Sequence, residues 1–188
     1  METDFYIKNM VCDRCIKVLS SELKAENIEL LEIELGRVKL NAINSEVKGK
    51  LISILENNGF LLIDDLDQQL VEQVKVKLIK LFQILPLEMK GKLSEYLARN
   101  LHKDYSKISK VFSANEQTTI EKYFIKLKIE KAKELMQAKE LNFTGISQLL
   151  DYNNLTHLSN QFRTETGMSL TEYKSLDKSL RSPLDGIL

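Results

Sequence analysis

At 188 residues the chain has room for one mid-sized domain or two small ones, and its 43% apolar and 29% charged residues are ordinary for a soluble globular protein. The 27 basic and 27 acidic side chains cancel, which excludes a molecule-wide field of one sign directed at nucleic acid or membrane. The balance is not local, however: residues 1–86 hold 11 basic and 14 acidic side chains, whereas 87–188 hold 16 and 13, so the second half is the better suited to a polyanion.

The chain opens with DFYIKN, in which Phe5 and Ile7 alternate with Tyr6 and Lys8, the pattern of a short strand with one buried face. Asp4, Lys8, Asp13 and Arg14 interrupt the first thirty residues, leaving no stretch for a signal peptide, and no later run is long enough for a membrane span. A cytoplasmic protein without a membrane partner is expected. Cys12 and Cys15 follow, the only two cysteines, placed just before the helical spacing Ile16, Leu19, Leu23. In a reducing compartment such a pair is a metal ligand set or a redox switch more often than a structural bridge, although two thiols can also simply fill core space.

LEIELGRVKL then alternates Leu31, Ile33, Leu35 with Glu32 and Glu34, breaks at Gly36 and resumes with Val38 and Leu40, which reads as a hairpin. From about Glu46 a second helix carries Val47, Leu51, Ile54 and Leu55 on one stripe, and Asn57-Asn58-Gly59 stops it before the strand FLLI. The order βαββαβ over residues 1–66, with both helices on one face of a four-stranded antiparallel sheet, is the ferredoxin-like arrangement.

Asn9-Met10-Val11-Cys12-Asp13-Arg14-Cys15 after the first strand of such a unit resembles the heavy-metal-associated domain of copper chaperones and metal-pumping ATPases. The resemblance implies that Cys12 and Cys15 bind one soft ion, Cu(I) or Zn(II), with Phe60 packed over the site. A place in the first helical turn is expected to lower the pKa of Cys15. Two departures stand: Asn9-Met10-Val11 replaces the usual Gly-Met-Thr, and no third protein ligand is apparent.

The acidic run Asp64-Asp65-Leu66-Asp67 suits a helix start. Beyond it, Leu70 or Val71, Val74, Leu78, Leu81 and Leu85 recur at three- and four-residue steps as far as Pro86. This predicts a connecting helix of about twenty residues with a heptad-like seam, which packs either on the flanking domains or on its twin in a homodimer. Residues 67–91 are the connecting helix and linker, with Gly91 at the boundary.

The second half repeats itself. At an offset of 50 residues Ile108, Ser109 and Phe112 pair with Leu158, Ser159 and Phe162, and Thr119, Ile120 and Tyr123 pair with Ser169, Leu170 and Tyr173. Each copy reads as helix, tight turn and second short helix, with a long helix from Thr119 to Lys139 between them, giving an all-α double helix-turn-helix domain over residues 92–176. The fold class is therefore α+β. The outward faces of the second helices carry Ser106, Lys107, Ser109 and Lys110 in one copy and Thr156, His157, Asn160 and Gln161 in the other. Such side chains suit base edges, with Lys103, Lys126 and Arg163 near enough for phosphates, although a solvated helix face has much the same composition.

SKISKVFSANEQTTIEKYFIKLKIEKAKELM (106–136) and ISQLLDYNNLTHLSNQFRTETGMSLTEY (146–173) resemble the two halves of the DNA-binding domain of the AraC/XylS family of bacterial transcription regulators. Asp151 stands where the family usually has a turn glycine, Gln117 replaces another, and Leu170 stands where proline is common. The resemblance implies a non-enzymatic regulator that binds double-stranded DNA. Ser106, Ser109 and Lys110 would read one major-groove segment and Thr156, His157 and Asn160 the next, about one helical turn away. RNA polymerase is a further partner open to such a regulator. The competing class is a soft-metal chaperone or buffer whose helical half serves protein interaction. An enzyme has little support, since His102 and His157 lack a nucleophile or carboxylate at a telling spacing. Residues 177–188 are expected to form a flexible tail.

Overall fold

The structure, a computed structural model, describes residues 2–41, 44–89, 91–138, 140–176, 180–183 and 187. The chain divides into two compact units, one made of residues 1–76 with Ser106–Asn115 and the other of residues 77–105 with 116–188.

The first unit runs β1 (Thr3–Lys8), α1 (Asp13–Ala25), β2 (Leu30–Glu34), β3 (Arg37–Leu40), α2 (Ser45–Asn57) and β4 (Leu61–Ile63). The strands form one antiparallel sheet in the order β2-β3-β1-β4. Period-two patterning sets its register: Phe5 lies opposite Val38 and Ile7 opposite Leu62, so apolar residues of adjacent strands share one face. Leu19 and Leu23 of α1 and Leu51, Ile54 and Leu55 of α2 close onto that face, making one core with Phe5, Ile7, Met10, Val38, Leu40 and Phe60. On the strands, Arg37 joins Asp4, Glu32 and Glu34 in ion pairs of 2.6–2.9 Å.

Local chemistry places the helix ends. Asn44 caps α2 by accepting from Val47 N at 2.8 Å, and beyond its last turn Gly59 takes a left-handed φ of +76° while Phe60 N donates to Leu55 O. Gly36 matters for a second reason besides its φ of +74°. A Cβ there would lie 2.9 Å from Val76 Cγ2, so only glycine lets the hairpin meet the next helix.

That helix, α3, spans Leu66–Leu81, with Asp65 Oδ1 accepting from Gln68 N at its start. It ends well short of Pro86, where the apolar spacing had carried it. Phe82 turns in to meet Phe124 at 5.5 Å between ring centroids, and Ile84 is 79% exposed, so no apolar stripe is left to continue; the residue before a proline also disfavours helix. The seam residues Leu70, Val74 and Leu78 are buried within the single chain, and so are Val71, Val76 and Ile79. The buried pattern is broader than a two-stranded seam.

The remaining helices are α4 (Leu93–Leu101), α5 (Tyr105–Glu116), α6 (Ile120–Ala138), α7 (Phe143–Leu149), α8 (Leu155–Thr166) and α9 (Leu170–Lys174). Of these, α5 falls with the first unit over Ser106–Asn115. In the second unit α6 is the spine, burying Ile120, Tyr123, Phe124, Leu127, Ile129, Ala132 and Met136, and α7 and α8 pack on it and on each other. Lys139, the expected last residue of this helix, lies outside the described residues. Among the described residues no helix is long and apolar enough to cross a membrane.

Turn chemistry accounts for the departures from the family pattern. Gln117 and Asp151 both adopt φ of +54°, the left-handed conformation for which glycine is usual. Leu170 is the first helical residue of α9, a position that proline favours, and a capping box between Ser169 and Glu172 holds that helix start instead. Gln117→Gly should therefore raise stability by about 1 kcal/mol and Asp151→Gly by less, because Asp tolerates this region better; midpoints of urea unfolding measure both.

Where it is described, the carboxy-terminal stretch makes contacts with α6. Lys133 Nζ donates to Leu180 O at 3.2 Å, Ser182 N donates to Glu130 Oε2 at 2.9 Å, and Arg181 pairs with Glu134 at 2.9 Å, while Ile187 is buried. The cause lies on α6. The Lys133–Glu130 ion pair is almost wholly buried, and such a pair needs further hydrogen bonds, which the tail backbone supplies. Residues 177–179, 184–186 and 188 of that stretch lie outside the described residues.

Candidate nucleic-acid interface

The 50-residue repeat reappears as burial. On α5 Ile108 and Phe112 are fully buried, and on α8 Leu158 and Phe162 are too, at the same positions of the repeat. A helix that hides i and i+4 must turn the opposite flank outward. On α5 that flank exposes Ser106, Lys107 and Lys110; on α8 it exposes Thr156, His157 and Asn160, with Arg163 also exposed. Asn154 orders the start of α8 by accepting from His157 N at 2.8 Å, and Gly167 ends it at φ +75°.

Three expected residues differ in setting. Ser109 and Gln161 are half-buried instead of fully outward. Lys126, expected near phosphates, is half-buried and its ammonium donates to Ile187 O at 3.4 Å, so the carboxy-terminal residues hold it. Lys103 is exposed, as a phosphate contact requires.

Sequence reasoning missed Tyr152 and Lys128. Tyr152 is 7% exposed, its hydroxyl donates to Gln161 Oε1 at 2.6 Å, and its ring meets His157 edge-on at 5.2 Å. Lys128 of α6 sets its ammonium 4.7 Å from the Tyr152 ring centroid and 5.4 Å from that of Phe124, and donates to Asp151 O at 3.3 Å. Burial drives the Tyr152 hydroxyl strongly upward in pKa, with the charge of Glu165 adding to it, and burial pulls Lys128 below its ordinary value against the attraction of Asp151. The only sequence signal was an aromatic residue directly after the left-handed Asp151.

The two cysteines do come together. Cys12 is the N-cap of α1, Cys15 N donates to Cys12 O at 2.9 Å, and the two sulfurs are 3.2 Å apart as free thiols. Cys15 also packs against the core that contains Phe60. The expected lowering of the Cys15 pKa is reversed: burial pushes the thiol up, the Cys12 side chain pushes the same way, and backbone hydrogen bonds from Cys12 and Val11, ahead of the helix, only partly offset them. In peptide-mapped alkylation by iodoacetamide, Cys15 should react more slowly than an exposed cysteine at neutral pH and reach its full rate only at a higher pH than that cysteine does.

As a donor set, two soft sulfurs suit a soft ion of low coordination number. Zn–S bonds of about 2.3 Å would require sulfurs about 3.8 Å apart in a tetrahedral site, so the thiols must open slightly to grip an ion. Among the described residues no group of three or more His, Cys, Asp or Glu side chains gathers to complete a closed tetrahedral zinc site. The pair fits an ion held by two protein ligands better than a structural zinc.

A family described as a helix-turn-helix domain matches residues 97–175, from α4 to α9, less than half of the chain. Among solved structures the chain is similar to the C-terminal domain of AraT, a response regulator from Geobacillus stearothermophilus, at 20% identity and TM-score 0.51 over 61% of this chain and 91% of that one, a likeness of fold. It is also similar to a transcriptional regulator from Chromobacterium violaceum, of the AraC-type DNA-binding domain-containing proteins, at 13% identity and TM-score 0.48 over 57% and 96% of the two chains. A third is the transcriptional regulator CdpR from Pseudomonas aeruginosa, at 14% identity and TM-score 0.45 over 84% and 51%. No curated protein matches the chain.

Proposed function

We propose that the protein is a sequence-specific DNA-binding transcription regulator of the AraC type. One observation carries the reading: α5 and α8 bury the same positions of a 50-residue repeat and leave short polar and basic side chains outward on both. In this reading Ser106, Lys110, Thr156, His157 and Asn160 meet base edges in two segments of major groove, while Lys103 and Arg163 hold phosphates. Lys107 adds charge on the same flank, and Ser109 and Gln161 lie at its edge.

Selection of duplexes from a randomised pool by the full chain tests this. Enrichment of one sequence is expected, with affinity that falls with salt, though less steeply than for a strongly basic regulator because the second half carries only 16 basic residues against 13 acidic ones. No enrichment, or a binding constant indifferent to salt, would overturn the reading and leave the soft-metal buffer in its place.

The close thiol pair supports an input role for the amino-terminal unit, whose strand order β2-β3-β1-β4 agrees with a ferredoxin-like, heavy-metal-associated type of domain. Cys12 and Cys15 would hold a soft ion such as Cu(I) or Zn(II), or oxidise together. A bound soft ion would replace two thiol protons by one cation. Operator affinity of a Cys12→Ser, Cys15→Ser variant with and without Cu(I) or Zn(II) is the measurement; values identical to those of the unaltered chain throughout remove the sensing role.

A further inference from the structure

Gln161, half-buried at the edge of the outward flank of α8, has a side chain committed at one end. Its carboxamide oxygen accepts from the Tyr152 hydroxyl at 2.6 Å. A carboxamide has an acceptor end and a donor end, so engaging Oε1 leaves Nε2, with two hydrogens, for any outward contact. Tyr152 in turn is fixed: it is buried to 7% exposure, the Lys128 ammonium lies 4.7 Å from its ring centroid, and His157, one turn before Gln161 on α8, meets the ring edge-on at 5.2 Å. A buried tyrosine remains protonated across the physiological range and so remains a donor. Turned over, the carboxamide would instead donate to the phenolic oxygen, and the buried Tyr152 O–H would give up the acceptor it has.

We propose that Tyr152 is a positioning residue which, through Gln161, sets the polarity of base recognition by α8, so that the helix offers N–H donors there and selects a base edge that carries acceptors. In the major groove those are guanine O6 and N7, adenine N7 or thymine O4, and the disfavoured partner is the cytosine N4 amino group. The inference rests on the DNA-reading function proposed above.

Two kinds of failure are separable. The probe is the duplex enriched by the wild-type chain, with every position varied singly. Tyr152→Phe keeps the ring against Lys128 and His157 but frees the carboxamide to turn, and is expected to reduce discrimination at one base position about tenfold. Its melting temperature should fall only by the few degrees that one lost hydrogen bond costs, while affinity for a non-specific duplex falls no further than that loss explains; a purely structural role would weaken all duplexes alike. Gln161→Ala should relax the same position, and the double variant should add nothing further. A second variant leaves Tyr152 in place: Gln161→Glu presents only acceptors and should shift the preference toward an amino-bearing base. Wild-type preferences in Tyr152→Phe or in Gln161→Glu overturn the inference while the regulator reading stands. Failure of the wild-type chain to enrich any duplex overturns both.

Discussion

Phe162→Ala is expected to cost about 3–5 kcal/mol, the range for deleting a buried aromatic side chain. That is a large share of the whole stability of a domain, roughly 5–15 kcal/mol. Phe162 has no exposed surface and meets Tyr173 edge-on at 5.4 Å, so its loss opens a cavity under α8 and undocks α9 together. No neighbour can refill the space cheaply, because Leu158 and Leu170 are themselves fully packed. The neighbouring Arg163→Ala, at an exposed position, should lie within about 0.5 kcal/mol of wild type. The chain has no tryptophan, so urea unfolding followed by far-ultraviolet circular dichroism is the suitable measurement. Equal midpoints for the two variants would contradict the packing described for α8.

The contrast between adjacent residues also shows what the sequence can and cannot reveal. Strand alternation, the acidic run and the 50-residue repeat are local signals, and each produced its element: Phe5 lies opposite Val38, Asp65 accepts from Gln68 N at the start of α3, and Phe112 and Phe162 are both buried. Even the left-handed turns at Gln117 and Asp151 could be placed by analogy with glycines. What failed depended on partners distant in sequence. The apolar spacing through Leu85 could not foresee that Phe82 would leave the helix to meet Phe124. Charge alone marked Lys126 for phosphate and could not foresee that its ammonium also reaches the Ile187 carbonyl. Helix position alone lowered the Cys15 thiol, whereas burial, which no motif encodes, raises it. Tyr152 went unread because its importance lies in a hydroxyl reaching nine positions along the chain to Gln161.

Asn160→Ala is expected to weaken binding of the selected duplex by about ten- to a hundredfold, the equivalent of one lost base-edge contact of about 1–3 kcal/mol. The residue is exposed on the flank of α8 opposite Leu158 and Phe162, so truncation removes hydrogen-bonding groups without opening a cavity. The loss should appear on the selected sequence and nearly vanish on a non-specific duplex, with the slope of affinity against salt unchanged. Arg163→Ala on the same helix should do the reverse. A guanidinium on phosphate contributes equally to every sequence, so its removal should weaken all duplexes and reduce the salt slope by about one. The pair divides the interface by chemistry, since both side chains are exposed within one turn of the same helix and share its fold. If both variants merely lost affinity in parallel across sequences and salt concentrations, α8 would be a cationic surface and no reader of bases.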